Sequence, residues 1–242
     1  MISIFRSIFA PPRHLILLLV AFWLGVALIE KRAERHGILR DTLTNLVYYS
    51  LLGYIVGGRL IYAVSNLAAF SQSPLSIFSL NLDLFDPWAA LVVAVIVGSM
   101  YGSRRKLPLL STLDALTPLF AAVMIGLSLS HLAAGTAFGS PTNVPWGIEL
   151  WKATRHPTQI YALIASLLVF GLIWFRKAGA QVGSTFLLFC ALTAATHLFL
   201  EAFRGDSILI FAGVRLTQII SWIVLAIALF LGEFIPTRQK AA

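Results

Sequence analysis

The sequence predicts an all-α polytopic integral membrane protein of about seven transmembrane helices, with the N-terminus outside and the C-terminus in the cytoplasm. Three observations carry that reading. Of 242 residues, 59% are hydrophobic and only 12% are charged, whereas a soluble domain carries about 25% charged residues. The apolar residues are gathered into seven runs close to the roughly 20 residues that a hydrocarbon core requires. Lys and Arg are distributed unequally between alternate loops, as the positive-inside rule demands. Disorder, a collagen-like fibre and an ordinary soluble enzyme are excluded. Seven spans use about 140 residues, so the chain reads as a single transmembrane domain over residues 1–242, with no room for a sizeable soluble one.

The first run, residues 15–29, is short, and residues 9–12 extend it through the interface. Residues 25–34 offer no small-residue cleavage site and a charged stretch follows, so the run reads as a retained anchor. The second run, 42–65, contains Gly57-Gly58-Arg59. The loop at 66–86 has no Lys or Arg and is rich in Ser, Leu and Phe, which suits an outer loop lying on lipid. The third run is 87–103. The fourth, 112–135, has Asp114 near its inner end, where a carboxylate complements a helix N-terminus, and His131 near Ser128 and Ser130. The interlude at 136–156 holds Trp146 and Trp151, which suit an interfacial belt. The fifth run, 157–175, opens on Arg155-His156-Pro157-Thr158-Gln159-Ile160-Tyr161, where Pro fits a first helical turn and a polar neighbour caps it. The sixth, 182–200, leads into His197, Glu201 and Arg204, then Gly205-Asp206. The seventh, 211–232, carries Gln218 for interhelical hydrogen bonding.

The formal net charge is +8. On a soluble protein this would point to nucleic acid. Here the cations sort by side instead. Lys31, Arg32, Arg35, Arg40, Arg104, Arg105, Lys106, Arg176, Lys177, Arg238 and Lys240 fall on one side. Arg6, Arg13, Lys152, Arg155, Arg204 and Arg215 fall on the other. The richer side is expected to be cytoplasmic, and no nucleic-acid partner is expected. The single cysteine, Cys190, lies in an apolar run that disfavours the thiolate a nucleophile needs. An odd helix number and the lack of any internal repeat argue against an inverted-repeat transporter.

An ionisable residue inside a bilayer costs about 2.5–3.5 kcal/mol even on insertion scales, so each such residue asks for a reason. Arg59 beside Gly57 and Gly58 is one. Glycines let a ligand or another helix approach, and a guanidinium grips phosphate by two parallel hydrogen bonds. Snorkelling with helix-packing glycines is the plain alternative. His197, Glu201 and Arg204, at spacings of four and three, share one helical face, either lining a polar cleft or forming a self-neutralised pair at an interface. Gln159 and Tyr161 enter the membrane early, where apolar filler would not.

These residues resemble, in order, the motifs of the bacterial prolipoprotein diacylglyceryl transferases. Gly57-Gly58-Arg59-Leu60-Ile61-Tyr62 is similar to that family's Gly-Gly-Arg-Leu/Val-Gly-Tyr segment. Leu113-Asp114 with Pro118 resembles the entry of its fourth helix, and Gly139 falls on the terminal glycine of its signature. His156-Pro157-Thr158-Gln159-Ile160-Tyr161 matches its His-Pro-Ser/Thr-Gln-Leu-Tyr motif. Glu201 with Phe203-Arg204-Gly205-Asp206 resembles its Glu-x-x-Arg region, and Gln218 falls on a family Gln. There are departures. The signature's arginine falls on Leu127, its Asn near Ser130 and its acidic residue near Thr136. The His-Gly-Gly of its third helix is replaced by Trp88-Ala89-Ala90.

The resemblance implies transfer of a diacylglyceryl group from phosphatidylglycerol to the lipobox cysteine of a prolipoprotein signal peptide, in the bacterial inner membrane, without metal or redox cofactor. It implies a catalytic group drawn from His131, His197, Glu201 and Arg204. Either His131 or His197 is expected to stand in for the family base, which is missing here. The implied phospholipid-binding group is Arg59, Gly57, Gly58, Gly139, His156, Gln159, Tyr161 and Asp206. Two other readings remain open on the residues alone: a non-catalytic relative that binds anionic lipid or lipoprotein precursors, and a small channel or transporter.

Overall fold

The computed structural model describes residues 13–78, 84–176, 181–210 and 213–234. Arg6, residues 9–12, Lys177, Arg238, Lys240 and the opening of the seventh run at Phe211 lie outside the described residues. Helix α1 spans Arg13–Arg32, α2 Arg40–Ser65, α3 Leu67–Gln72, α4 Pro87–Arg104, α5 Leu109–Ala134, α6 Thr158–Phe175, α7 Ser184–Leu200 and α8 Leu216–Phe234. Short 3-10 turns lie at Ala33–His36, Pro74–Phe78 and Glu201–Phe203. Two antiparallel hairpins complete the description: β1 Ile148–Leu150 with β2 Ala153–Arg155, and β3 Leu209–Ile210 with β4 Val214–Arg215. Among the described residues, seven helices (all but α3) are long and apolar enough to cross a membrane. That is the number the sequence predicts. Helix α8 starts later than the apolar run suggests because β3 and β4 occupy the residues before it.

The chain divides into two compact units, Met1–Ile29 with Leu113–Ala242, and Glu30–Thr112. In both, large apolar side chains point outward. Trp23, Leu168 and Phe230 do so in the first unit, and Leu52 and Val95 in the second. Exposed apolar surface on this scale suits lipid rather than water.

In the unit Glu30–Thr112, α2 packs along α4 through missing side chains. Gly53 and Gly57 form a small-xxx-small stripe, which lets transmembrane helices approach closely. A Cβ on Gly53 would lie 2.9 Å from Val97 Cγ2, and one on Gly57 2.5 Å from Val93 Cβ. A Cβ on Gly58 would lie 2.5 Å from the Phe85 ring and 2.9 Å from Ala90 Cβ. The chain entering α4 is tied to α2 by Asp86 N donating to Gly58 O at 3.2 Å. The Asp86 carboxylate then accepts from Trp88 N and Ala89 N, both at 3.0 Å, and so caps α4.

In the other unit, α5 is the most enclosed helix, with 56% of its apolar window buried against 6% for α4. It meets α1 at Gly25, which faces Leu119 and Ala122, and at Gly126, which faces Ala21. Ala121, Val169, Ile173 and Phe189 form a core shared by α5, α6 and α7. Asp114 does serve a helix N-terminus, but not that of its own helix. Its Oδ2 accepts from Gly183 N at 2.6 Å and its Oδ1 from Phe186 N at 2.8 Å, at the start of α7. Those amides have no intrahelical partners, and the N-cap residue, Gly183, has no side chain to supply one.

Candidate functional site

One end of the unit Met1–Ile29 with Leu113–Ala242 gathers the end of α5, the loop at 135–157, the start of α6, and residues 201–210 and 213–215 that follow α7. The loop is built by backbone pairing. Gly139 bridges Arg204 in antiparallel sense and Pro141 bridges Arg155. Ser140 N donates to Phe203 O at 2.8 Å, Gly205 N to Phe138 O at 2.9 Å and His156 N to Ser140 O at 3.1 Å. Space for this exists only because two residues lack a Cβ. A Cβ on Gly139 would overlap the His156 backbone, and one on Gly205 would lie 2.7 Å from Gly139 O.

Arg204 is not on the helical face that the four-and-three spacing suggests. Helix α7 ends at Leu200, a 3-10 turn follows, and Arg204 is extended (φ −75°, ψ 140°). The ion pair with Glu201 survives by another route, with Arg204 Nη1 3.6 Å from Glu201 Oε2. The closer partner is Asp206. Its Oδ1 accepts from Arg204 Nε at 3.0 Å and from Nη2 at 2.9 Å. Arg215 braces this turn by donating from Nη1 to Arg204 O at 3.0 Å and to Ser207 Oγ at 3.3 Å. Glu201 is 1% exposed, and neither of its carboxylate oxygens has a hydrogen-bond partner among the described residues. The guanidinium therefore sits between one buried and one half-buried carboxylate. His131 lies within electrostatic range of Arg204, Asp206 and His197, and His197 within range of Glu201 and Arg204. The structure thus brings together His131, His197, Glu201, Arg204 and Asp206. Leu127 is four residues before His131 and on the same helical stripe, and it is partly exposed.

The Arg155-to-Tyr161 segment closes the other side of the loop. Pro157 sits just before α6 rather than in its first turn, and no side chain caps the helix. Its polar residues bind the loop instead. Thr158 Oγ1 donates to Ala137 O at 2.7 Å and Gln159 Nε2 to Thr136 O at 2.9 Å. Gln159 Oε1 and His156 Nδ1 are buried without a hydrogen-bond partner among the described residues. The His156 ring stands edge-on to Phe203 at 5.2 Å, and the Tyr161 ring edge-on to Phe203 at 6.4 Å. Trp146 Nε1 donates to the Tyr161 hydroxyl at 2.7 Å. Arg155, which the sequence reading treats only as a charge, donates to Leu150 O and Gly139 O and lies over the Phe138 ring. Nothing in its spacing announces that bracing role.

Arg59, Gly57 and Gly58 belong to the unit Glu30–Thr112. There Arg59 Nη1 donates to Leu84 O at 3.2 Å, and the two glycines are packed by Val93, Phe85 and Ala90. Gln218 is half-buried on α8.

What this arrangement offers is an arginine clustered with carboxylates and imidazoles at one end of a group of apolar helices. Comparison with known proteins gives it a context. The family model for prolipoprotein diacylglyceryl transferase matches residues 13–232. A phosphatidylglycerol–prolipoprotein diacylglyceryl transferase of Clostridium tetani is 25% identical over 224 residues, covering 89% of this chain and 90% of the relative. The Clostridioides difficile protein of the same name is 26% identical, covering 93% and 91%. That of Thermotoga maritima is 28% identical, covering 86% and 75%. On this match, spread over nearly the whole chain, the protein belongs to the prolipoprotein diacylglyceryl transferase family.

Proposed function

We propose that this protein transfers the diacylglyceryl group of phosphatidylglycerol to the lipobox cysteine of a prolipoprotein signal peptide. It does so as one transmembrane domain of the bacterial inner membrane, with its N-terminus outside and C-terminus inside. In the reaction the cysteine thiolate attacks the glyceryl carbon that bears the phosphate ester. A C–S bond forms, the C–O bond breaks, glycerol phosphate leaves, and the thiol proton goes to a base. Three demands follow: a base for the thiol, fixed cations for the leaving phosphate, and surroundings poor in water.

The observation that carries this reading is the Arg204 fork. Its Nε and Nη2 both donate to a single carboxylate oxygen of Asp206, so the guanidinium edge that can give two parallel hydrogen bonds to two phosphate oxygens is already turned toward an anion. Asp206 is anionic, so it does not grip the headgroup itself. It holds the fork in register until the phosphate displaces it. Glu201, buried behind, keeps the guanidinium from turning away. His131 or His197 takes the thiol proton, since imidazole is the side chain that exchanges a proton near neutral pH. Arg59, in the unit Glu30–Thr112, is assigned to phospholipid binding. Gly57 and Gly58 act through packing that sets its position, and Gly139, His156, Gln159 and Tyr161 hold the loop that pairs with Arg204.

The test is transfer in detergent, using phosphatidylglycerol labelled in its diacylglyceryl moiety and a lipobox peptide. Label is expected on the cysteine, falling by about 100-fold or more in Arg204→Ala, as when a transition-state donor is lost, and also falling in Arg59→Ala. No label from a folded, lipid-binding wild type overturns the reading in favour of a binding relative.

A further inference from the structure

The end of the α2–α4 pair that carries Arg104 and Arg105 plays no part in the chemistry above. Arg59 meets Leu84 at one end of the pair. The two arginines stand at the other, a full 18-residue helix away, roughly 27 Å at about 1.5 Å per residue. A cavity of about 570 Å³ opens there, lined by Tyr49, Val97, Met100, Tyr101, Arg104 and Arg105. Its composition is two-sided. Val97 and Met100 make an apolar wall, and Met100 is 54% exposed. The rings of Tyr49 and Tyr101 lie 5.1 Å apart, and the Arg105 guanidinium sits 5.6 Å from the Tyr101 ring centre.

The charge here is unbalanced. The three ion pairs among the described residues all lie elsewhere, so Arg104, Arg105 and the adjoining Lys106 have no carboxylate partner there. A helix C-terminus attracts cations, and so does the cytoplasmic side of a membrane. Neither explains an adjacent hollow with an aromatic wall. The turn after α4 is also fixed. Lys106 adopts φ 54°, Lys106 N donates to Ser103 O and Leu107 N to Gly102 O, so consecutive cations are held at the mouth of the hollow.

We propose that this hollow binds one anionic phospholipid from the leaflet opposite that of Arg59. The headgroup phosphate sits on Arg104 and Arg105 and an acyl chain runs along Val97 and Met100. The phosphate supplies the missing counter-charge, and the chain covers apolar wall that lipid must cover in any case. The site is independent of the transfer reaction.

Native mass spectrometry of the purified full-length chain, titrated with dioleoylphosphatidylserine, tests it. Arg204→Ala serves as the background, so that binding at the proposed reaction site is suppressed. One lipid is expected to bind about tenfold more tightly than dioleoylphosphatidylcholine, and Arg104→Gln/Arg105→Gln is expected to weaken it by about tenfold, the scale of a charge-assisted pair. Met100→Trp keeps both charges but fills the groove, and is expected to weaken binding by about fivefold on lost apolar contact. Soluble glycerol 3-phosphate is expected not to displace the lipid. Affinity unchanged within about twofold in the Gln pair, equal binding of the zwitterionic lipid, or full displacement by glycerol 3-phosphate overturns the proposal.

Discussion

Two glycine–arginine segments, Gly57-Gly58-Arg59 and Gly139 with Arg204-Gly205, look alike in sequence and are built differently. In the first, the space left by glycine is filled by side chains: Val93 against Gly57, and Phe85 with Ala90 against Gly58. In the second it is filled by backbone, with the His156 carbonyl against Gly139 and the Gly139 carbonyl against Gly205. Side chains shorten or rotate, and a paired backbone does neither. One segment is a helix contact that tolerates compensation. The other is a fixed register on which the position of Arg204 depends.

The largest effect that tests this contrast is expected at Gly139. Gly139→Ala must move the Ser140–Phe203 and His156–Ser140 pairings. It is expected to cost about 3 kcal/mol, the upper range for overpacking, and to abolish transfer, with no second-site rescue by shortening any one neighbouring side chain. Thermal unfolding in detergent together with the transfer assay measures both. Rescue by a single side-chain truncation would erase the distinction. A smaller effect is expected at Gly57. Gly57→Ala alone is expected to cost about 1–3 kcal/mol, and adding Val93→Gly should return part of it, because the three atoms nearest the new Cβ, namely Val93 Cβ, Cγ1 and Cγ2, all belong to that side chain. A double variant no more stable than the single one would show that the helix pair is as rigid as the loop. The smallest change is expected at Asp206. Asp206→Asn removes the anion that competes for the Arg204 fork, so KM for phosphatidylglycerol is expected to fall about three- to tenfold with kcat changed less, a loss of ground-state competition. A rise in KM would mean that Asp206 serves only to aim the guanidinium.

The helices were legible because the bilayer dictates their length and composition, and all seven lie where the apolar runs lie. The loops were not. The β1–β2 hairpin turns on Trp151 and Lys152, both at positive φ (54° and 61°). Such turns are normally marked by Asn or Gly, so nothing in the residues signals it. The Glu201–Arg204 pair was read from helical spacing and exists, yet the helix has ended before Arg204 and the contact is made through an extended residue. Thr158 and Gln159 open α6, where the apolar run begins, and they also anchor the preceding loop, which the pattern does not show. Backbone carbonyls supply most of the partners that hold this site, and a sequence pattern does not display carbonyls.

Asp114 adds a consequence in time rather than in space. The amides it receives lie 69 and 72 residues further along the chain. At about 5–20 residues per second of synthesis, its carboxylate leaves the ribosome roughly 3–14 s before its partners exist. During that interval the newly inserted helix carries an unmatched anion at its boundary, which must stay at the water-facing edge. When the start of α7 arrives, it releases Asp114 from that edge and two of its own orphan amides, Gly183 N and Phe186 N, find their acceptor at the same moment. The late helix is thereby locked to the early one, and a ribosome stalled before Phe186 leaves both ends open to the quality-control machinery of the membrane.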